Sequence, residues 1–384
     1  MVVTDVAAAG AAADPPGGPP GGPSPAGGSH QPPATTRPHT PSHGRLPRGA
    51  LLLVARKLGG ALLVVWGVVT FTFVVARVVA PDPTGLLVPP GATAEARAQV
   101  RSSLGLDRSV PRQYLIYLRD LLHGDLGTSF GTGRPVGADL TGRLPATLEL
   151  AVPALVVGVL LGTALGVLSA VRRGKAADHA IRVVTVAALA MPQFWLGLVL
   201  LSLFYVRLGW LPGPIGRLPA GVPPPPGVTG SYVLDALLSG RWQTARQAVL
   251  QLVLPCAVLT CGIFAPITRV ARSGMVEALR SEYVRTAHAY GFSRTRVHRT
   301  HALRNALLPV ITMIAGGVAF AFTGAVLVEG VFGWPGIGQY ALTAVQQSDF
   351  PALQGFVLYA AVVYVALYAL VDLAYSLADP RIRS

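Results

Sequence analysis

ALLPVITMIAGGVAFAFTGAVLV, residues 306–328, carries no charged side chain, while RVARSGMVEALRSEYVRTAHAYGFSRTRVHRTHALRN, residues 269–305, stands directly before it with eight arginines. A helix needs about 20 apolar residues to cross a hydrocarbon core of about 30 Å, because no backbone N–H or C=O can go unpaired there. Residues 306–328 meet that requirement. Working outward in both directions, so do Ala248–Ile267, Val183–Val206, Ala146–Val171, Leu58–Ala80 and Leu353–Leu377. Hydrophobic residues make up 52% of the 384, charged residues only 12%, and the mean hydropathy is +0.53; soluble globular domains are about 25% charged. The fold class is an all-α polytopic membrane protein with six transmembrane helices.

The 31 basic residues exceed the 17 acidic ones by 14. In a soluble protein that excess suggests nucleic acid; here it reads as topology, and no nucleic acid is expected as a partner. Short loops rich in Arg and Lys stay in the cytoplasm. Arg45, Arg48, Arg56 and Lys57 precede the first span, Arg172, Arg173, Lys175 and Arg182 follow the second, and the eight arginines of 269–304 follow the fourth, whereas 331–352 has none. Both termini are therefore expected inside the cell. Residues 1–48 are Pro/Gly-rich without apolar periodicity, a composition that predicts a disordered cytoplasmic tail, and the opening residues lack the basic start of a secretory signal. The remainder, 49–384, holds a long outer loop at 81–145. Within it SVPRQYLIYLRDLLHG predicts an amphipathic helix with Ser109 as N-cap and Leu115, Leu118 and Leu122 on one face, and TAEARAQVRSSLGL a second helix. The Pro-rich segment between spans three and four reads as irregular.

The chemistry that is missing narrows the function. No phosphate-cradling G-x-x-x-x-G-K-[ST] occurs, SAVRRGKA being the nearest string, so the chain is no Walker-type ATPase. Ionisable residues in the spans, Arg77, Glu149, Glu329 and Asp372, sit near span ends, where snorkelling or pairing with a neighbour accounts for them. A secondary carrier would need its own ion site and often repeat-related broken helices, and neither is evident. Ser169 and Ser202 have no base at helical spacing, and Cys256 and Cys261 form neither a disulfide framework nor a zinc pattern. HRTH at 298–301 does not read as a metal pair, and no metal is expected. Gly158, Gly162 and Gly166 recur every four residues, a stripe that permits close helix approach within one subunit or between two.

The arginine-rich stretch holds a candidate helix from Met275 to Ala289, with Val276, Leu279, Tyr283 and Ala287 along a narrow ridge and Gly291 as its stop. Such a helix suits docking on another protein, or else it is a solvated connector. EYVRTAHAYG (282–291) and HALRNALLP (301–309) resemble the cytoplasmic loop of binding-protein-dependent ABC transporter permeases, in the variant of the dipeptide, oligopeptide and nickel family. HGDLGTSFGTGRPV, RLPATLEL, MPQFWLGL, EGVFGWPGIGQYAL and DLAYSLADPRIR are similar, in the same order, to that family's B-type subunit, and the resemblance runs from about Leu51 to Arg383. Glu282 stands where the family often has Asp, while His288 and Tyr290 replace the usual Arg and Lys, leaving a less basic surface.

The resemblance implies a type I importer permease with a cytoplasmic coupling helix, itself no enzyme, in the bacterial plasma membrane and in contact with its lipid. Its implied partners are a C-type permease, two cytoplasmic ATPases that hold ATP and Mg, and an extracellular or periplasmic solute-binding protein. Peptides are the implied cargo, with nickel complexes and glutathione as alternatives. Tyr283, Arg285, Thr286, Ala287, Gly291, His301, Arg304, Asn305 and Pro309 would couple to the ATPase: Tyr283 and Ala287 seated in a groove, Arg285 against an acidic rim, Gly291 making the turn. Glu329, Trp334, Pro335, Gly336 and Asp349 would form an outer gate or binding-protein contact, or else a structural turn.

Overall fold

The computed structural model describes residues 48–79, 84, 88, 91–103 and 105–378; the Pro/Gly-rich segment before Arg48 lies outside them, as does the side chain of Asp372. One compact unit begins at Val54, and the other, ending at Leu53, is almost wholly outside the described residues.

Helix α1 (Arg48–Val74) ends in a π-helical turn, Val75–Val79. The shorter α2 (Ala94–Ser103) and α3 (Val110–Leu122) follow. In α3, Pro111 occupies the first turn, where its missing N–H has no intrahelical partner to lose, but the Ser109 hydroxyl makes no capping bond. On the leucine face of α3, Leu115 and Leu122 are 66% and 87% exposed. Tyr114 and Tyr117 instead set their rings 5.1 and 5.6 Å from that of Phe73 in α1, and the Tyr114 hydroxyl shares a 2.7 Å hydrogen bond with Thr70. Aromatic rings with a polar tip bury more surface than leucine and still satisfy the hydroxyl.

Helix α4 (Val136–Val171) starts ten residues before the predicted span and passes through Pro145 and Pro153. The third span is broken. Helix α5 (Ala176–Ala190) and the segment Gln193–Arg207, made of α6 (Gln193–Leu200) and a π-helical turn, meet at 108°. Met191 is extended (φ −83°, ψ 125°), as a residue before proline must be, and Pro192 has no N–H to continue the ladder. After α7 (Tyr232–Leu238), α8 (Trp242–Arg280) runs well past both ends of its predicted span. Helix α9 (Glu282–Ala289) leads through Arg294–Arg296 and a π-helical segment into α10 (Leu303–Phe332). Helices α11 (Ile337–Gln346) and α12 (Phe350–Ala378) complete the described chain. Among the described residues five helices are long and apolar enough to cross a membrane, and the bent pair makes up to six. The protein is all-α and multi-pass; among the described residues the only extended pairing is an isolated bridge between Thr128 and Pro135.

Helices α4 and α8 form the spine. A Cβ placed on Gly162 would lie 2.7 Å from the Phe264 carbonyl and one on Gly166 2.7 Å from that of Thr268, so the glycine stripe lets two backbones of the same chain touch, where dispersion and weak Cα–H bonds act. Leu150, Ala154, Val258, Leu259, Ile263 and Ile267 fill this interface, and Val310, Ala321 and Val328 of α10 close it.

Candidate functional site

At the arginine-rich end the predicted helix 275–289 is two helices. Helix α8 continues through Arg280, Ser281 turns extended (φ −70°, ψ 153°), and α9 starts afresh at Glu282. The break changes the ridge. Val284 and Ala287, 3% and 7% exposed, turn inward onto Met275, Ala278, Val297, Ala302 and Ala306. Ala287 therefore fixes α9 to its own subunit and does not face outward with Tyr283. The outward face carries Tyr283 at 40% exposure and Tyr290 at 79%, with Arg285, Thr286 and His288 also exposed. Arg285 donates a 2.9 Å hydrogen bond to Glu282, both side chains lying in solvent.

Gly291 has φ +79°, a left-handed conformation that an L side chain rarely adopts. Its N–H closes α9 on His288 O and that of Phe292 on Ala287 O. Past the turn, the Phe292 ring lies 5.8 Å from that of His301, with the Arg296 guanidinium 4.9 Å above it. Arg304, Asn305 and Pro309 are exposed on the first turns of α10. The structure thus places Tyr283, Arg285 and Thr286 on one helix and keeps Arg304, Asn305 and Pro309 on another.

Beside this face lies an ion pair the sequence reading missed. Asp178, 1% exposed, takes two hydrogen bonds from Arg272 (2.9 and 3.0 Å), one from the Ser169 hydroxyl (2.5 Å) and one from Gly174 N–H (3.0 Å). It ties α5 to α4 and α8. The only signal was that Asp178 is the single acid among Arg172, Arg173, Lys175 and Arg182. Among the described residues no group of three His, Cys, Asp or Glu side chains converges as metal ligands would.

The opposite end is built differently. Glu329 is fully buried and accepts from the Thr147 hydroxyl (2.6 Å) and from the N–H groups of Gly338 (2.7 Å) and Gln339 (3.0 Å), the first turn of α11. These helix-start amides have no acceptor within α11, and Glu329 supplies it. Trp334, 1% exposed, donates its indole N–H to Ala146 O at 2.8 Å. A Cβ at Gly336 would collide with the Glu329 carboxylate. Asp349, 2% exposed, accepts from the Ser129 hydroxyl (2.5 Å) and Gly131 N–H (2.9 Å). Of the five residues only Pro335 is exposed, and the other four are buried in an internal clasp.

Glu149 pairs with a neighbour, one of the two readings expected for it. It is 7% exposed, takes a 2.7 Å hydrogen bond from Arg217, and accepts from the Ser231 hydroxyl and Val233 N–H at 2.8 Å. Asp235 in α7 accepts from Thr229 N–H and hydroxyl (2.7 and 2.8 Å) and from the N–H groups of Gly230 (3.0 Å) and Val228 (3.2 Å). Burial opposes its charge, yet these donors outweigh it and hold the carboxyl below its ordinary range.

Two family descriptions match the chain: residues 162–384 match the binding-protein-dependent transport system inner membrane component, and residues 50–151 the N-terminal part of such membrane components. The probable D,D-dipeptide transport system permease protein of Escherichia coli is 42% identical over 86% of this chain and 97% of its own length. The di/tripeptide transport system permease protein of Pseudomonas aeruginosa is 40% identical over 87% and 99%, and the dipeptide transport system permease protein of Alkalihalophilus pseudofirmus 35% identical over the same shares.

Proposed function

The chain belongs to the binding-protein-dependent transport permeases, and on that footing we propose that it is the membrane-spanning subunit of an ATP-driven importer of short peptides. The observation that carries the reading is the near end-to-end match to permeases named for dipeptide and di/tripeptide transport. Nothing in the comparisons favours a nickel complex or glutathione. The chain hydrolyses no ATP; two cytoplasmic ATPases supply ATP and Mg chemistry, a second permease completes the path, and a solute-binding protein delivers the peptide. The arginine-rich end faces the cytoplasm, as its short basic loops require.

Coupling runs through α9. An ATPase seated on the outward face touches Tyr283, Arg285 and Thr286, with Arg304 and Asn305 on the neighbouring helix start. Val284 and Ala287 make α9 move with Met275 and Ala278 of α8, and the Asp178–Arg272 pair carries displacement of α8 to α5, the first arm of the broken span. A closure of the ATPases that prefers one arrangement of these helices shifts the whole subunit toward it. Reconstituting the chain with its four partners and measuring uptake of radiolabelled dialanine tests this. Uptake that needs ATP and the binding protein is expected; uptake indifferent to ATP would overturn it.

A further inference from the structure

At the clasp end, α1, the turn after α2, α3 and the start of α12 enclose a cleft of about 310 Å³, the size at which sites for small molecules begin. Its wall is apolar at Phe73 and Tyr117 and charged at Arg77, Arg108, Asp120 and Asp125. Asp125 accepts from Gly127 N–H at 2.8 Å. Among the described residues the other three charged side chains have no hydrogen bond, and none of the four forms an ion pair. Arg108, Asp120 and Asp125 are exposed, and Arg77 is half-buried. The Arg77 guanidinium still keeps surface that a ligand can reach: the sealed polar atoms without a partner belong, among the described residues, to Gln193, Gln251 and Tyr340.

A cation on a membrane-spanning helix is retained where something meets its charge. Arg77 has two acids in the same cleft and pairs with neither, which leaves both signs open to a ligand that carries both. Guanidinium nitrogens match phosphate oxygens two by two, and the carboxylates can accept from an ammonium. A short peptide is also a zwitterion; what selects a lipid is the apolar surface leading to the cleft. Leu63, Trp66, Phe71 and Val74, in the turns of α1 before Arg77, are all exposed. Acyl chains can cover that flank, whereas a short peptide leaves it bare. Arg77 itself stands in the closing π-helical turn of the span, at the depth where headgroups lie.

We propose that this cleft holds the headgroup of a phospholipid with a primary ammonium, as in phosphatidylethanolamine. Arg77 and Arg108 donate to the phosphodiester, Asp120 and Asp125 accept from the ammonium, and the acyl chains lie along α1. Bound there, the lipid fastens α1 to α3 and α12, adding to the three aromatic rings and one hydroxyl pair that join α1 and α3. The inference needs the membrane and is independent of the cargo.

The test measures binding of labelled dihexanoyl phosphatidylethanolamine to the assembled complex in detergent, stripped of native lipid. The choline analogue, whose trimethylammonium has no N–H to donate, is measured beside it. The unsubstituted complex should bind the ethanolamine form about threefold more tightly, the gain expected from exposed acids. Arg77→Gln should weaken binding of both lipids about tenfold. Asp120→Asn together with Asp125→Asn should remove the preference and leave the choline form bound as before; this ratio is read within one protein, so a change in stability alone does not produce it. Equal binding of the two lipids by the unsubstituted complex would overturn the proposal without any variant, as would unchanged affinity in Arg77→Gln. Dialanine displacing the lipid at equal concentration would make the cleft a peptide site, and no lipid binding at all would mean that a protein partner covers it; either result overturns the lipid assignment.

Discussion

The two ends of the subunit carry motifs of similar length and use them in opposite ways. At one, EGVFGWPGIGQYAL folds inward, so that Glu329, Trp334 and Gly336 are all buried and bonded to the chain itself. At the other, EYVRTAHAYG keeps only Val284 and Ala287 inside and turns its aromatic and charged residues outward. A recurring string of residues marks importance without saying whether the importance is architecture or recognition. Burial and partner identity separate the two, and each substitution below is chosen to break or sharpen that separation.

The largest effect belongs to the clasp. Glu329→Ala strands the Thr147 hydroxyl and two helix-start N–H groups in a water-free interior, and each unpaired buried donor costs about 1–3 kcal/mol. The loss of stability should reach about 3 kcal/mol or more, read as a lower thermal midpoint and a reduced membrane level of the subunit. Glu329→Gln keeps an acceptor and should lose less. A subunit as stable as the original would place Glu329 in recognition after all.

Next comes Gly291→Pro. Proline holds φ near −65°, against the observed +79°, and removes the N–H that closes α9 on His288. Gly291→Ala strains the same turn by about 1 kcal/mol. Both should loosen α9 while the α4–α8 spine stays intact, so peptide-stimulated ATP hydrolysis in the assembled complex should fall further than the thermal midpoint. Equal falls would mean that the turn is architecture too.

Much of this was legible in the sequence, for reasons particular to each element. Six apolar stretches are local facts, and they place the crossings. Composition does not report straightness, so the 108° break at Pro192 was hidden inside a stretch that is apolar throughout. The helix overrun at Val136 is held by a cluster with Ile337, Tyr340 and Ala352, far along the chain. Alanine gives no sign of its face, and the extended Ser281 rotates α9 relative to α8, so a single-helix ridge put Ala287 on the wrong side. Glu329 was least legible, because its hydroxyl partner Thr147 lies 182 positions away.

Asp235 belongs with the clasp end and makes a smaller contribution. Its folded carboxyl titrates below the ordinary value near 3.9. The stability this provides is therefore fully present above about pH 4 and is lost as pH falls through the folded value. Asp235→Asn should lower the thermal midpoint at pH 7, and the gap between the two proteins should narrow below about pH 4. A gap that stays constant with pH would mean that shape, and not charge, holds the α7 loop.

The smallest effect on the fold, and the sharpest on function, is expected at Arg285. Its ion pair with Glu282 has both side chains exposed, 74% and 83%, and such pairs contribute about 0–1 kcal/mol. Reversing the charge removes little that the subunit needs to fold: Val284 and Ala287 still anchor α9, and no buried group loses a partner. If the outward face meets an acidic rim of an ATPase, Arg285→Glu sets like charges against each other at the contact, and that repulsion weakens with salt. Thermal midpoint and membrane level should stay unchanged, peptide-stimulated ATP hydrolysis should be lost, and raising the ionic strength should restore part of it. Full coupling in Arg285→Glu at low salt would reduce this end to a connector, and the contrast between the two ends would then be one of exposure alone.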